Sequence, residues 1–235
     1  MVVGTLGTFL QRPGTQKVVL ALALVALIGI ISYILYRVAA TSLKAVELTH
    51  GGTIRADAEP VRIQAKQIPD LENGSEYGYS VWLYVERFQP TDKPRVVLQH
   101  GGISLSMDAN KNALNFELGS GVVSHDYVPL NRWVHVVCVY RDGSVTFFVD
   151  GEVAAVYRFT SDTLPEDPAG DLVLGGGSGR WTNWQGYIGA TTFLNHYPSL
   201  ANVKKMYASG PGGKGGVLNL VGMGNYAVRS PVYRV

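Results

Sequence analysis

Apolar and polar positions fall into three regimes along the chain. Residues 18–36, VVLALALVALIGIISYILY, are 19 consecutive uncharged positions bracketed by Lys17 and Arg37. At about 1.5 Å per residue this run makes a helix of roughly 28 Å, close to the hydrocarbon thickness of a bilayer. It predicts a single transmembrane helix over residues 17–37, with Val18, Leu22, Leu27 and Ile31 in the anchor and Tyr33 and Tyr36 near its C-terminal end, where aromatic rings favour the interface. A cleaved secretory signal is the rival reading, because Val38-Ala39-Ala40 resembles a cleavage site, but the apolar run is long for a signal core. Arg12 and Lys17 on one flank are matched by Arg37 and Lys44 on the other, so the positive-inside rule leaves orientation open.

The second regime, residues 38–59, mixes charges with Gly51-Gly52 and keeps no helical period. It reads as a stalk. The third begins near residue 60, where the period becomes two. Strands are predicted over residues 61–68, 77–88, 95–100, 103–107, 112–118, 133–140, 145–149, 152–159, 171–174 and 186–194. Within residues 77–88 the alternation sets Tyr79, Val81, Leu83 and Val85 on one face and Ser80, Trp82, Tyr84 and Glu86 on the other. The most patterned stretch is 130–151, LNRWVHVVCVYRDGSVTFFVDG, with Asp142-Gly143 and Asp150-Gly151 as hairpin turns. Trp82, Trp133, Val137, Phe147 and Val149 are the expected packing residues. Short strands with turn signals about every ten residues argue for an all-β sandwich or barrel. One short helix is predicted over residues 199–208, capped by Ser199 and stopped by Gly210-Pro211. The domain is thus expected at 60–211, between an N-terminal segment, 1–16, with its anchor and stalk, and a glycine-rich tail, 212–235, that is either flexible or ordered against a partner.

Composition narrows the function classes. The 235 residues are 46% hydrophobic and 16% charged, enough for one full core with about 40 to 70 residues left over. Net charge is +2, yet all 18 acids follow residue 38, where they face 17 bases. Such a balance is not the field of a nucleic-acid binder. A lone cysteine, Cys138, allows no intrachain disulfide.

The order Asn131, Trp133, His135-Val136, Arg141-Asp142-Gly143 and Phe148-Val149-Asp150-Gly151 resembles the central hairpin of the laminin-G-like, concanavalin-A-like jelly roll. Residues 79–83, 172–176 and 184–194 look like that family's early and closing strands. The resemblance covers residues 60–211 and implies an antiparallel β-sandwich, a fold that hosts lectins, adhesion modules, hydrolases and structural proteins. With the anchor and the closing Gly-Pro, the chain is also similar to membrane-anchored minor capsid proteins of large nucleocytoplasmic DNA viruses. That likeness implies a virion structural role, with the helix in the internal membrane and the sandwich contacting capsid or other membrane proteins.

Candidate chemistry is sparse. Glycoside hydrolysis on this sandwich needs paired carboxylates on one strand face, and neither Glu-x-Asp-x-x-Glu nor Glu-x-Asp-x-Glu occurs. His50, His100, His125, His135 and His196 show no metal-ligand spacing, and His135 alternates with Trp133 and Val137 as a structural histidine would. Lys214 is followed by Gly215 instead of Ser or Thr, so no P-loop is formed. No enzyme and no resident cofactor are expected. The laminin-G resemblance implies a rim Ca²⁺ site, for which Asp92, Asp108 and Asp126 are the loop acids; solvated turn aspartates are the alternative. Asn73-Gly74-Ser75 is a glycosylation sequon. Trp181 and Trp184, with Arg180 and Tyr187, either stack on a ligand or partner or cap the core. Two functions follow as expectations: a virion protein joining membrane to capsid, or a membrane-anchored glycan-binding module.

Overall fold

The computed structural model describes residues 13–42, 45–49, 52–71, 76–158 and 167–212. The chain divides into two units, Met1–Leu43 and Lys44–Val235. Asn73 and almost all of the tail 212–235 lie outside the described residues.

In the first unit, helix α1 runs Pro13–Ser42. Its described apolar side chains are all exposed, including Val18, Leu22, Leu27, Ile31 and Tyr33, and they surround the helix without leaving a polar face. The Tyr36 side chain is not among those described. Among the described residues no helix is long and apolar enough to cross a membrane, so the span expected over residues 17–37 is not shown there.

Among the described residues of the second unit, thirteen strands build two antiparallel sheets. In chain order they are β1 Ala45–Glu47, β2 Ile54–Arg55, β3 Val61–Ile63, β4 Tyr77–Val85, β5 Arg95–His100, β6 Ile103–Met107, β7 Ala113–Leu118, β8 Gly121–Asp126, β9 Trp133–Arg141, β10 Ser144–Val149, β11 Glu152–Arg158, β12 Leu172–Leu174 and β13 Gly186–Leu194. One sheet runs β1-β13-β4-β9-β10-β11, with β2 also on β13; the other runs β3-β12-β5-β6-β7-β8. Both Asp-Gly pairs close two-residue hairpins with positive φ at both positions: 48° and 71° at Asp142-Gly143, 51° and 85° at Asp150-Gly151. That backbone twist matches the flanking strands, as the sequence predicts.

The core lies between the sheets. Tyr77, Tyr79, Val81, Leu83 and Val85 of β4 meet Val134, Val136, Cys138 and Tyr140 of β9, Val145 and Phe147 of β10, and Leu98, Leu105, Phe116 and Leu118 of the opposite sheet. A second apolar layer covers the outer face of the first sheet. There helix α2, Leu200–Ser209, packs Val203 against Val137, Val139, Phe148 and Leu194. Ser199 caps α2 as expected, its hydroxyl accepting from the Asn202 amide at 3.2 Å.

Several expectations need correction. The stalk carries β1 and β2, and Leu48 and Ala56 are buried in the sandwich, so the fold begins near residue 45, not 60. The strand predicted over 61–68 ends at Ile63, because the Ala65 amide donates to Asp171 Oδ1 at 3.0 Å and the backbone turns into a 3₁₀ helix, Ala65–Gln67. Edge strand β8 has no counterpart among the predicted strands; it buries only Val123, too little apolar alternation to register. Trp133 is half-buried on the outer face, against Tyr84 at 5.5 Å, and Val137 belongs to the α2 layer, whereas their neighbours Val134 and Val136 fill the sandwich core. Phe147 is in the core, Val149 is partly buried against it, and Trp82 is buried on the α2 side.

Candidate functional site

Residues 86–94, between β4 and β5, and residues 175–185, between β12 and β13, meet at one end of the sandwich beside Asp57. Together they enclose a cleft of about 270 Å³ lined by Asp57, Arg87, Gln89, Thr91, Arg95, Asn183, Trp184 and Gln185. Trp184 anchors the floor, packed in the core with its indole N–H donating to the Val96 carbonyl at 2.9 Å. Asn183 is held by its amide donating to the Asp57 carbonyl at 3.5 Å, and Gly177 packs so tightly on Asn183 that a Cβ there would collide with it. The Asp57 carboxylate is gripped by Arg55 at 2.7 and 2.8 Å, a hydrogen-bonded pairing that pulls its pKa below the usual carboxylate range. It is therefore a neutralised acid.

Arg95 is the unusual member. It is 3% exposed; Nη1 donates to the Asp108 carbonyl at 2.7 Å, and the guanidinium lies 4.6 Å from the Phe88 ring centroid. Its Nη2 is buried with no hydrogen-bond partner. Burial pulls its pKa below the ordinary arginine value. Arg87 is exposed, and among the described residues no carboxylate pairs with it. The cleft is thus lined by one exposed guanidinium, Arg87, and one buried guanidinium, Arg95, whose Nη2 is unpartnered, with neutral amides and a hydroxyl around them.

A larger cavity, about 470 Å³, lies against Ile68, Leu71, His100, Pro168 and Phe193. Its buried histidine has no spare capacity: Nδ1 pairs with the Tyr79 hydroxyl at 2.9 Å and Nε2 with the Gly170 carbonyl at 3.1 Å. Asp70 and Asp167 also line this cavity, so its polar side is acidic.

The residues singled out from sequence fall elsewhere. Trp181 and Trp184 are 7% and 3% exposed, so neither is an open stacking platform; they cap and fill the core. Arg180 covers Trp181 at 4.2 Å and pairs with Glu117 at 2.7 Å, while Tyr187 is flanked by Arg55 at 5.3 Å and Tyr84. The three acids considered for Ca²⁺ do not converge. Asp108 accepts from the Asn110 and Lys111 amides at 2.9 Å as a turn residue, and among the described residues no group of three or more His, Cys, Asp or Glu forms a metal centre. Gly175 and Gly176 adopt positive φ, and a Cβ on Gly176 would meet Pro60 at 2.6 Å, so the cluster is a tight turn.

One constellation escaped the sequence. Ser80 Oγ lies 2.8 Å from His135 Nε2, a nucleophile beside a base. Both are buried, Trp82 covers the imidazole at 5.0 Å, and His135 Nδ1 has no partner to orient it, so the pair is packing and not a reactive centre. Burial pushes the His135 pKa down to about 3, against about 6.5 in an unfolded chain. The folded state therefore holds a neutral imidazole that the unfolded state protonates first. Its contribution is complete above pH 6.5 and is lost as pH falls towards 3. His100 is shifted the same way by burial. Urea unfolding at pH 7.5 and 4.5 is expected to show about 3 kcal/mol less stability at the lower pH from His135 alone; equal midpoints would contradict a buried neutral ring.

Residues 60–204 match the family described as the concanavalin A-like lectin/glucanases superfamily. The chain belongs to that superfamily. Among curated proteins none matches the sequence. Solved structures similar to it include a botulinum neurotoxin type C, described as depending on interaction with two ganglioside molecules for cell entry, at 11% identity and TM-score 0.52, covering 67% of this chain and 42% of that one. The botulinum neurotoxin serotype G binding domain matches at 10% identity and TM-score 0.52, covering 72% and 49%. The binding domain of botulinum neurotoxin DC in complex with SialylT matches at 10% and 0.51, covering 67% and 41%. The chain spans less than half the length of these structures, and at such identities the likeness shows the concanavalin A-like fold alone.

Proposed function

We propose that this concanavalin A-like protein is a membrane-anchored, non-catalytic module that binds glycans in the cleft between residues 86–94 and 175–185. The observation that carries the reading is the cleft's wall: Arg87, Gln89, Thr91, Asn183 and Gln185 gather hydrogen-bonding groups around a volume suited to a single sugar ring. Saccharides are recognised by such converging neutral amides and charged donors, each ring hydroxyl replacing water with a directed partner. Non-catalysis is supported by the cleft's one carboxylate, Asp57, being neutralised by Arg55. Anchoring is supported by the 19-residue uncharged run 18–36 and by α1 having no polar face, the pattern of a helix that needs lipid on every side.

A second reading, a virion structural protein bridging an internal membrane and the capsid, draws on a different observation. Strand β11 exposes Val153 and Val156, at 53% and 58%, beside a ladder edge that is unpaired among the described residues and suited to another protein. One experiment separates the two. The full chain, reconstituted in vesicles, is probed against a neutral and acidic glycan array and then extracted with alkaline carbonate. Glycan binding weakened about tenfold by Asn183→Ala, with the protein left in the membrane pellet, is the expected outcome. Release by carbonate would sink the anchor. Absence of any glycan binding together with co-purification in detergent-stripped particles would favour the structural role.

A further inference from the structure

We propose that the cleft selects acidic saccharides, holding a ring oxyanion between Arg87 and Arg95, a selectivity that rests on the glycan reading of the same cleft. The juxtaposition is built by the fold: Arg95 opens β5, Arg87 follows β4, and the neutral walls Asn183 and Gln185 arrive from nearly ninety residues further along the chain.

Arg95 is a costly residue to bury. Its Nη1 uses main-chain carbonyls, which satisfy hydrogen bonds without cancelling the charge, and Nη2 is buried unpartnered. The nearest acid, Asp108, spends its carboxylate oxygens on other donors, Oδ1 on two amides and Oδ2 on the Asn115 side chain at 3.3 Å, and acts on Arg95 only through its charge, without a direct hydrogen bond. The other acid on the cleft, Asp57, belongs to Arg55. Among the described residues no carboxylate on the wall hydrogen-bonds Arg95 or Arg87, so neither has an anion in direct contact. A ligand oxyanion would supply it, with charge-assisted hydrogen bonds that are shorter and stronger than neutral ones, in a setting partly shielded from water. Gln89, Thr91, Asn183 and Gln185 would meet the ring hydroxyls, so the site asks for an anion carried on a polyol rather than a free inorganic ion. Hydrophobic or cationic ligands find no complement there.

Carboxylate and sulfate ester both satisfy this chemistry, and the test tells them apart. Isothermal titration of the full chain in detergent micelles would compare a methyl hexoside, the corresponding hexuronide and the corresponding hexose sulfate. At least one acidic ligand is expected to bind about tenfold or more tightly than the neutral one, with an advantage that shrinks as salt rises. The stronger of the two acids names the source of the oxyanion. Arg87→Gln, an exposed change, should reduce the acidic advantage to within about threefold. Arg95→Lys should do the same, with thermal unfolding run alongside; Arg87→Gln decides the matter if that variant fails to fold. Equal affinity for all three ligands overturns the acidic preference and leaves glycan binding standing. If no ligand of the three binds, and the array is also blank, the glycan reading falls with it.

Discussion

Replacing Phe147 with alanine is expected to destabilise the sandwich by about 3 to 5 kcal/mol, the range for deleting a fully buried aromatic ring. Phe147 has no exposed surface and sits where the sheets interlock: its ring meets Phe116 of the opposite sheet edge-on at 6.3 Å, stacks on His125 at 5.7 Å and meets Tyr157 edge-on at 5.8 Å. Collapse around the vacated volume is limited, because the neighbours come from β7, β8 and β11 and are each held by their own ladders. Equilibrium urea unfolding measures the loss as a shift in midpoint at unchanged slope. A loss under about 1.5 kcal/mol would mean that the two sheets do not meet at this ring.

Trp82→Ala is the second large effect, about 3 to 5 kcal/mol, and it reads out on the other side of the same sheet. Trp82 is 6% exposed and packs against both the His135 imidazole, at 5.0 Å, and the Tyr207 ring of α2, stacked at 5.5 Å and 14°, while Tyr207 itself lies 6.0 Å from His135. Removing the indole takes away the main aromatic contact of α2 and opens a path for water to His135. Two signals should move together: the unfolding midpoint falls, and the His135 pKa, followed by NMR titration, climbs from about 3 towards its ordinary value. Trp133→Ala serves as the control, since that ring is only half-buried beside Tyr84 and should cost under about 2 kcal/mol. If Trp133→Ala proved the more damaging, the assignment of faces on β9 would be wrong.

That assignment shows where pattern reading stops. In β4 the alternation was sufficient: Tyr79, Val81, Leu83 and Val85 share a face, and the structure puts that face in the core. In β9 both faces are apolar, and period two says only that Trp133, His135 and Val137 lie together. Which face looks inward depends on α2, more than sixty residues downstream, covering the other. Residues 45–49 and 54–56 read as stalk for a similar reason. Each is too short to show a period, and both became strands by adding to β13, a partner about 140 residues away. Trp181 and Trp184 stand in a glycine-rich segment, a setting that usually means exposure; the positive-φ turns at Gly175, Gly176 and Gly179 instead fold the segment back so that both indoles are buried.

For the cleft, sequence contained the parts without the arrangement. Arg87, Gln89, Thr91 and Arg95 are ordinary loop and strand residues in a linear reading, and nothing about Arg95 announces a buried guanidinium. What the sequence by itself determined was local: an uncharged run long enough for a bilayer, the strands whose alternation exceeds four residues, the Asp-Gly hairpins and the Ser199 cap, because each depends on sterics and hydrogen bonds within a few residues. Tertiary structure alone decided which apolar face became the core, that the presumed stalk joins the sheet, that the tryptophans are buried, and that an unpaired arginine meets neutral amides at the sandwich end. All four depend on contacts between segments far apart in sequence, where burial and charge pairing are set by whatever the fold brings alongside.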